Sequence, residues 1–186
     1  MMRVIAFTGL PFSGKTEAVN VAREMGINVI RMGDFVWEEV KKRGLELNDK
    51  NVGRIANELR EKYGREIWAK RTVEKIKEIK NMDSLVIDGI RNSEEVDYFK
   101  KKLGRDFILI AIHAPKNERI KRALSRRRDD DVKDIEEFEK REKRELKWGL
   151  DSVIASSDVI ITNDESLDKF RSKMKNKLME LIKENR

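Results

Sequence analysis

Gly9-Leu10-Pro11-Phe12-Ser13-Gly14-Lys15-Thr16 fills every fixed position of the pattern G-x-x-x-x-G-K-[ST]. The spacing serves a backbone grip on phosphate. Glycine at each end lets the chain curl so that successive N–H groups turn inward. A helix opening at Lys15 adds the positive end of its dipole. The Lys15 ammonium can then reach the β- and γ-oxygens of a nucleotide, and the Thr16 hydroxyl can ligate Mg²⁺. The flanks agree. Val4-Ile5-Ala6-Phe7-Thr8 is a short apolar run of strand type, and Ala18, Val21, Ala22 and Met25 recur at i, i+3, i+4, i+7 before Gly26. Strand, loop and helix together predict a site for a nucleoside triphosphate.

Composition narrows the setting. At 186 residues the chain is long enough for one domain with a proper core. It has no cysteine, so disulfides and thiolate chemistry are excluded. The first strand is too short to span a bilayer and lacks a cleavage-site pattern, which gives the expectation of a cytoplasmic, non-membrane protein. Charged residues make up 41% of the chain, with acids and bases interleaved. The net charge of +7 fits a polyphosphate site better than a nucleic-acid surface, because the signs alternate instead of forming a single-sign face.

Outward from the loop, strands and helices alternate. Asn28–Met32 reads as a second strand, ending at Gly33-Asp34, where Asp34 stands as an N-cap for the next helix. Val52, Ile55, Ala56, Leu59 and Tyr63 mark one amphipathic helix, and Trp68, Thr72, Ile76 and Ile79 another. Residues 34–80 therefore form an inserted helical flap. Ser84–Ile87 is a third strand with Asp88 at its end, and Asn92-Ser93-Glu94-Glu95 reads as a capping box. Phe107–Ile112 and Val159–Thr162 complete five strands, whose near-continuous apolar character predicts a parallel sheet. Between them lie a helix over 117–128 and a highly charged one over 134–150, expected to pack weakly and move. A final helix carries Leu167, Phe170, Met174, Leu178 and Leu181. The fold class is three-layer α/β/α with a doubly wound five-stranded sheet. The expected parts are a core (1–33, 81–118, 148–186), an acceptor-binding insertion (34–80) and a short lid (119–147).

This topology collects Asp34, Asp88, His113 and Thr162 along the C-terminal rim of the sheet. Asp88 can hold Mg²⁺ or its water shell, and Arg91 can clamp an anion. Arg122 and Arg126 sit at i, i+4 on the helix after the fourth strand, where a closing segment would neutralise a transferring phosphate.

These residues resemble the nucleoside-monophosphate kinase superfamily of P-loop proteins, which includes adenylate kinase and dephospho-CoA kinase. More closely, the chain is similar to an archaeal adenylate-kinase-related family of unassigned activity. The resemblance covers about residues 3 to 182. It rests on Gly33-Asp34, Asp88-Gly89-Ile90-Arg91, Pro115 followed by Arg122 and Arg126, Arg128-Asp129-Asp130-Asp131, and Arg141 with Arg144. It implies ATP as donor, held by Gly9, Pro11, Ser13, Gly14, Lys15, Thr16, Arg122 and Asn163, with Arg122 over the adenine and Arg126 on phosphate. It also implies an acceptor held by Asp34, Trp37, Arg91, Arg141 and Arg144, and Mg²⁺ at Thr16 and Asp88. Three departures concern the acceptor. Trp37 stands where adenylate kinases carry arginine, Arg91 comes one residue early without its proline, and the lid is short and free of cysteine.

The acceptor stays open between two chemistries. A monophosphate attacks with an oxygen already ionised, whereas a hydroxyl benefits from a base, for which Asp34 is the candidate. The expectation leans to a small nucleotide. No Asn-Lys-x-Asp motif supports a GTP switch. A non-kinase ATPase acting on RNA or a ribosomal partner is the rival of a different class, and oligomeric state is open.

Overall fold

In the computed structural model, residues 2–79, 82–125 and 132–184 are described. Five parallel strands form one sheet: β1 (Arg3–Thr8), β2 (Asn28–Arg31), β3 (Ser84–Asp88), β4 (Phe107–His113) and β5 (Val159–Thr162), in the order β2-β3-β1-β4-β5. The helices are α1 (Lys15–Glu24), α2 (Met32–Lys42), α3 (Asp49–Tyr63), α4 (Ile67–Glu78), α5 (Ser93–Leu103), α6 (Lys116–Ser125), α7 (Ile135–Lys147), α8 (Leu150–Ala155) and α9 (Leu167–Lys183).

The strand period of two sorts the core into faces. Val4, Ala6, Leu85, Ile87 and Leu109 point to one side, where α2, α3, α4, α5 and α8 cover them. Ile5, Phe7, Val86, Ile110 and Ile112 point to the other, against α1 and α9. All six residues of β1 are buried, as a central parallel strand requires. The insertion is no loose flap, because Val36, Ile55, Leu59, Trp68, Val73 and Ile76 belong to the same apolar cluster as the central strands.

Three local readings change. α2 begins at Met32, with Arg31 in the capping position, so Asp34 lies in the first turn instead of capping it. A carboxylate there still complements the helix dipole. The charged helix expected over 134–150 is two helices, broken at Gly149, whose φ of 98° suits glycine. Of its expected apolar face, Phe138 and Leu150 are buried while Ile135 and Leu146 are exposed. The Asn92 cap is present: its side chain accepts from the Glu95 amide at 2.8 Å, and Glu95 accepts in return from the Arg91 amide at 2.7 Å. Arg126 and the Arg128–Asp131 run lie outside the described residues. Among those that are described, no helix is long and apolar enough to cross a membrane.

Candidate active site

The phosphate loop joins β1 to α1 across the C-terminal rim of the sheet. Gly9 and Gly14 have φ of 146° and 114°, and a β-carbon on either would collide. At Gly9 it would stand 2.3 Å from the Ile112 carbonyl oxygen, and at Gly14 2.2 Å from the Asn163 amide nitrogen. The loop is pinned from outside. Asn163 donates its amide to the Ser13 carbonyl (2.9 Å), and Arg122 donates to the carbonyls of Ser13 (3.2 Å) and Asn163 (3.0 Å). Arg119, fully buried, donates to the carbonyls of Pro11 and Ala114.

Inside the loop, the Lys15 ammonium folds back and donates to the carbonyls of Gly9 (2.7 Å) and Leu10 (3.0 Å). Desolvation and then the nearby Arg91 charge push its pKa down to about 7, against the pull of Glu145 and Asp88. Thr16 and Asp88 line the cleft beside it. Asp88 Oδ1 is buried with no hydrogen-bond partner, and Oδ2 has Arg31 Nε at 3.9 Å. An orphaned carboxylate oxygen and a threonine lining one cleft suit Mg²⁺, which binds through one or two protein oxygens and keeps its waters. No cluster of three metal-ligating side chains is found among the described residues, so any cage would be completed by phosphate and water.

The loop opens into a cleft of about 530 Å³. Met32, Val36, Val52, Ala56 and Trp68 give it an apolar wall, and Arg91, Arg141, Arg144 and Trp148 line it too. Each of those arginines already holds a carboxylate. Arg91 stands 2.7 Å from Glu145 Oε2; Arg144 forks onto Asp49 with two 2.8 Å bonds; Arg141 lies 3.5 Å from Glu145 and 3.6 Å from Asp49. Burial works against the ionised form of Glu145, but Arg91, Arg141, Lys15 and Arg144 outweigh it and hold its carboxyl below the usual range.

The expected residues divide by placement. Lys15, Thr16, Asp88, Arg91, Arg122, Arg141, Arg144 and Trp37 share the cleft wall with Pro11 and Gly14. Ser13 and Asn163 are buried in the loop's support, and Gly9 sits at its start. Asp34 does not line the cleft: its side chain is 51% exposed and pairs with Arg31 at 3.4 Å. Burial nevertheless raises its pKa, Arg31 opposing and Asp88 adding to the rise. His113 is exposed and also absent from the lining. The sequence reading missed Asp49, Arg60, Glu145 and Trp148. Trp148 is stacked by Arg60 at 4.5 Å, and Arg60 is buried against Glu95 at 3.1 Å.

A family model described as an AAA domain matches residues 8–139, more than half of the chain. A "UPF0200 protein" of Methanosarcina mazei is 45% identical over 96% of this chain and 95% of its own length. The chain belongs to the UPF0200 family. A "UPF0200/UPF0201 protein" of Archaeoglobus fulgidus is 48% identical over 98% of this UPF0200 chain, which spans 57% of that longer protein. Among solved structures, shikimate kinase from Acinetobacter baumannii superposes with a TM-score of 0.59 at 16% identity, covering 100% of this chain and 96% of that one. The UPF0200 chain thus has the fold of small P-loop kinases.

Proposed function

We propose that this UPF0200 protein transfers the γ-phosphoryl group of ATP to a nucleoside monophosphate or closely related small nucleotide, with Mg²⁺ as cofactor. The observation that carries the reading is one continuous cleft joining a complete phosphate loop, an unpartnered Asp88 oxygen and the arginines Arg91, Arg141 and Arg144. Thr16 and Asp88 would hold the metal, which neutralises charge on the phosphates when bound. Lys15 leaves its own loop's carbonyls for the phosphate oxygens, and the dry loop strengthens that contact. Arg91, Arg141 and Arg144 orient the acceptor anion. A hydroxyl acceptor benefits from a base within reach, and the carboxylate expected for it, Asp34, turns to Arg31 outside the cleft lining. A monophosphate oxygen, already ionised, needs none. The test is incubation with γ-labelled ATP and a panel of nucleoside monophosphates, wild type beside Lys15→Met. The expected result is a labelled nucleotide, its formation slowed about a thousandfold or more by the mutation. Release of free phosphate with no labelled small molecule would replace the kinase by an ATPase.

A further inference from the structure

A second chamber, of about 220 Å³, adjoins the cleft between α1 and the junction of β2 with α2. Thr16, Asn20 and Arg23 stand at i, i+4 and i+7 on α1 and form one wall. Arg31 and Trp37 form the other, and Thr16, Asn20, Arg31, Trp37 and Asp88 are shared with the main cleft. None of Arg91, Arg141 and Arg144 lines it, so it is a separate position for charge.

Its two guanidinium groups are under-used. Arg31 is held over the Trp37 ring at 5.2 Å, with carboxylate oxygens of Asp34 at 3.4 Å and Asp88 at 3.9 Å. Both separations exceed the roughly 2.7–2.9 Å of a good charge-assisted hydrogen bond. The Arg23 side chain is exposed and has neither an ion pair nor a hydrogen bond among the described residues, its charge being felt only at longer range by Asp34. The acids on its own helix, Glu17 and Glu24, are both bound by Arg171 of α9. Trp37, which breaks the adenylate-kinase pattern, here orients an arginine through its ring face.

We propose that this chamber binds a second anionic group of the acceptor, a phosphate or carboxylate distinct from the group that receives the phosphoryl. The acceptor is then doubly anionic, reaching past Asp88 to place one charge between Arg23 and Arg31. The proposal rests on the phosphotransferase reading only in calling that molecule the acceptor.

Calorimetric titrations on the full chain, with the donor site filled by Mg²⁺ and a non-hydrolysable ATP analogue, test it without turnover. The probes are AMP and adenosine 3′,5′-bisphosphate, and AMP again with millimolar inorganic phosphate. The wild type should bind the bisphosphate about tenfold more tightly than AMP. Arg23→Glu, at an exposed position that leaves the core intact, should abolish that preference and leave AMP affinity unchanged. If inorganic phosphate strengthens AMP binding in the wild type and not in Arg23→Glu, the chamber stands and its anion is a free one. Indifference to Arg23→Glu in both arms, or no binding of any probe, overturns the proposal. A failed transfer assay would leave these titrations as they are, and failed titrations would leave the transfer assay as it is.

Discussion

Lys15 carries a charge that depends on whether the loop is filled. With its pKa at about 7 in the free protein, the side chain is largely neutral at pH 8. Phosphate oxygens favour the charged form and raise the pKa on binding. The complex therefore holds more protons than the free protein above pH 7, so affinity falls as pH rises, by up to tenfold per unit. Calorimetry at pH 8 in buffers of different ionisation enthalpy should report uptake approaching one proton per ATP, and Lys15→Met should report none from this site. A second residue, Gly53, sits inside α3, where glycine costs about 1 kcal/mol against alanine. A β-carbon there would meet the Arg144 guanidinium at 2.9 Å, so the glycine makes room for that arginine. Gly53→Ala should change the melting temperature little, since the helix gain is offset as Arg144 gives up its fork on Asp49, while under the proposed function acceptor KM rises severalfold as Arg144 leaves its place.

At the scale of elements, α7 differs most from its expectation. Its apolar residues are few, which reads in sequence as weak packing, yet ion pairs tie it to its neighbours: Arg91 to Glu145, Arg119 to Glu142, Lys116 to Glu139, and Arg141 and Arg144 to Asp49. A partly buried bidentate pair is worth more than a surface one. Asp49→Asn should loosen the latch, and hydrogen exchange in residues 135–147 of the free protein should then quicken about tenfold. Unchanged protection would mean that the remaining ties suffice. The phosphate loop was legible from sequence because its chemistry lies within eight consecutive residues. Glu145 and Asp49 were not, because one more glutamate or aspartate on a charged helix looks solvated until the fold sets it beside arginines far along the chain. The start of α2 was misplaced for a local reason: Gly33 reads as a breaker, but the helix runs through it.

Across the whole molecule, the insertion and the sheet share one apolar cluster, and the buried Arg60–Glu95 pair bolts α3 to α5. Removing one partner strands a buried charge, so Glu95→Ala should cost about 3–5 kcal/mol. Fluorescence of the insertion's tryptophans and far-ultraviolet dichroism should fall in the same denaturant transition, because the two parts unfold as one. The phosphate loop has a mechanical tie to the rest as well. Phe12 stands at φ 64°, a backbone conformation that a bulky side chain adopts at some cost. Its ring is clasped by Ala123 of α6 and by Val132 and Phe138 before and within α7, with the Phe138 ring centroid at 5.8 Å. The strained turn is thus kept in shape by α6 and α7, and α7 itself carries the cleft arginines Arg141 and Arg144. Through Phe12 the loop and α7 share one contact, so any factor by which a nucleotide on the loop changes binding at the arginines of α7 is also the factor by which a ligand there changes the affinity for nucleotide.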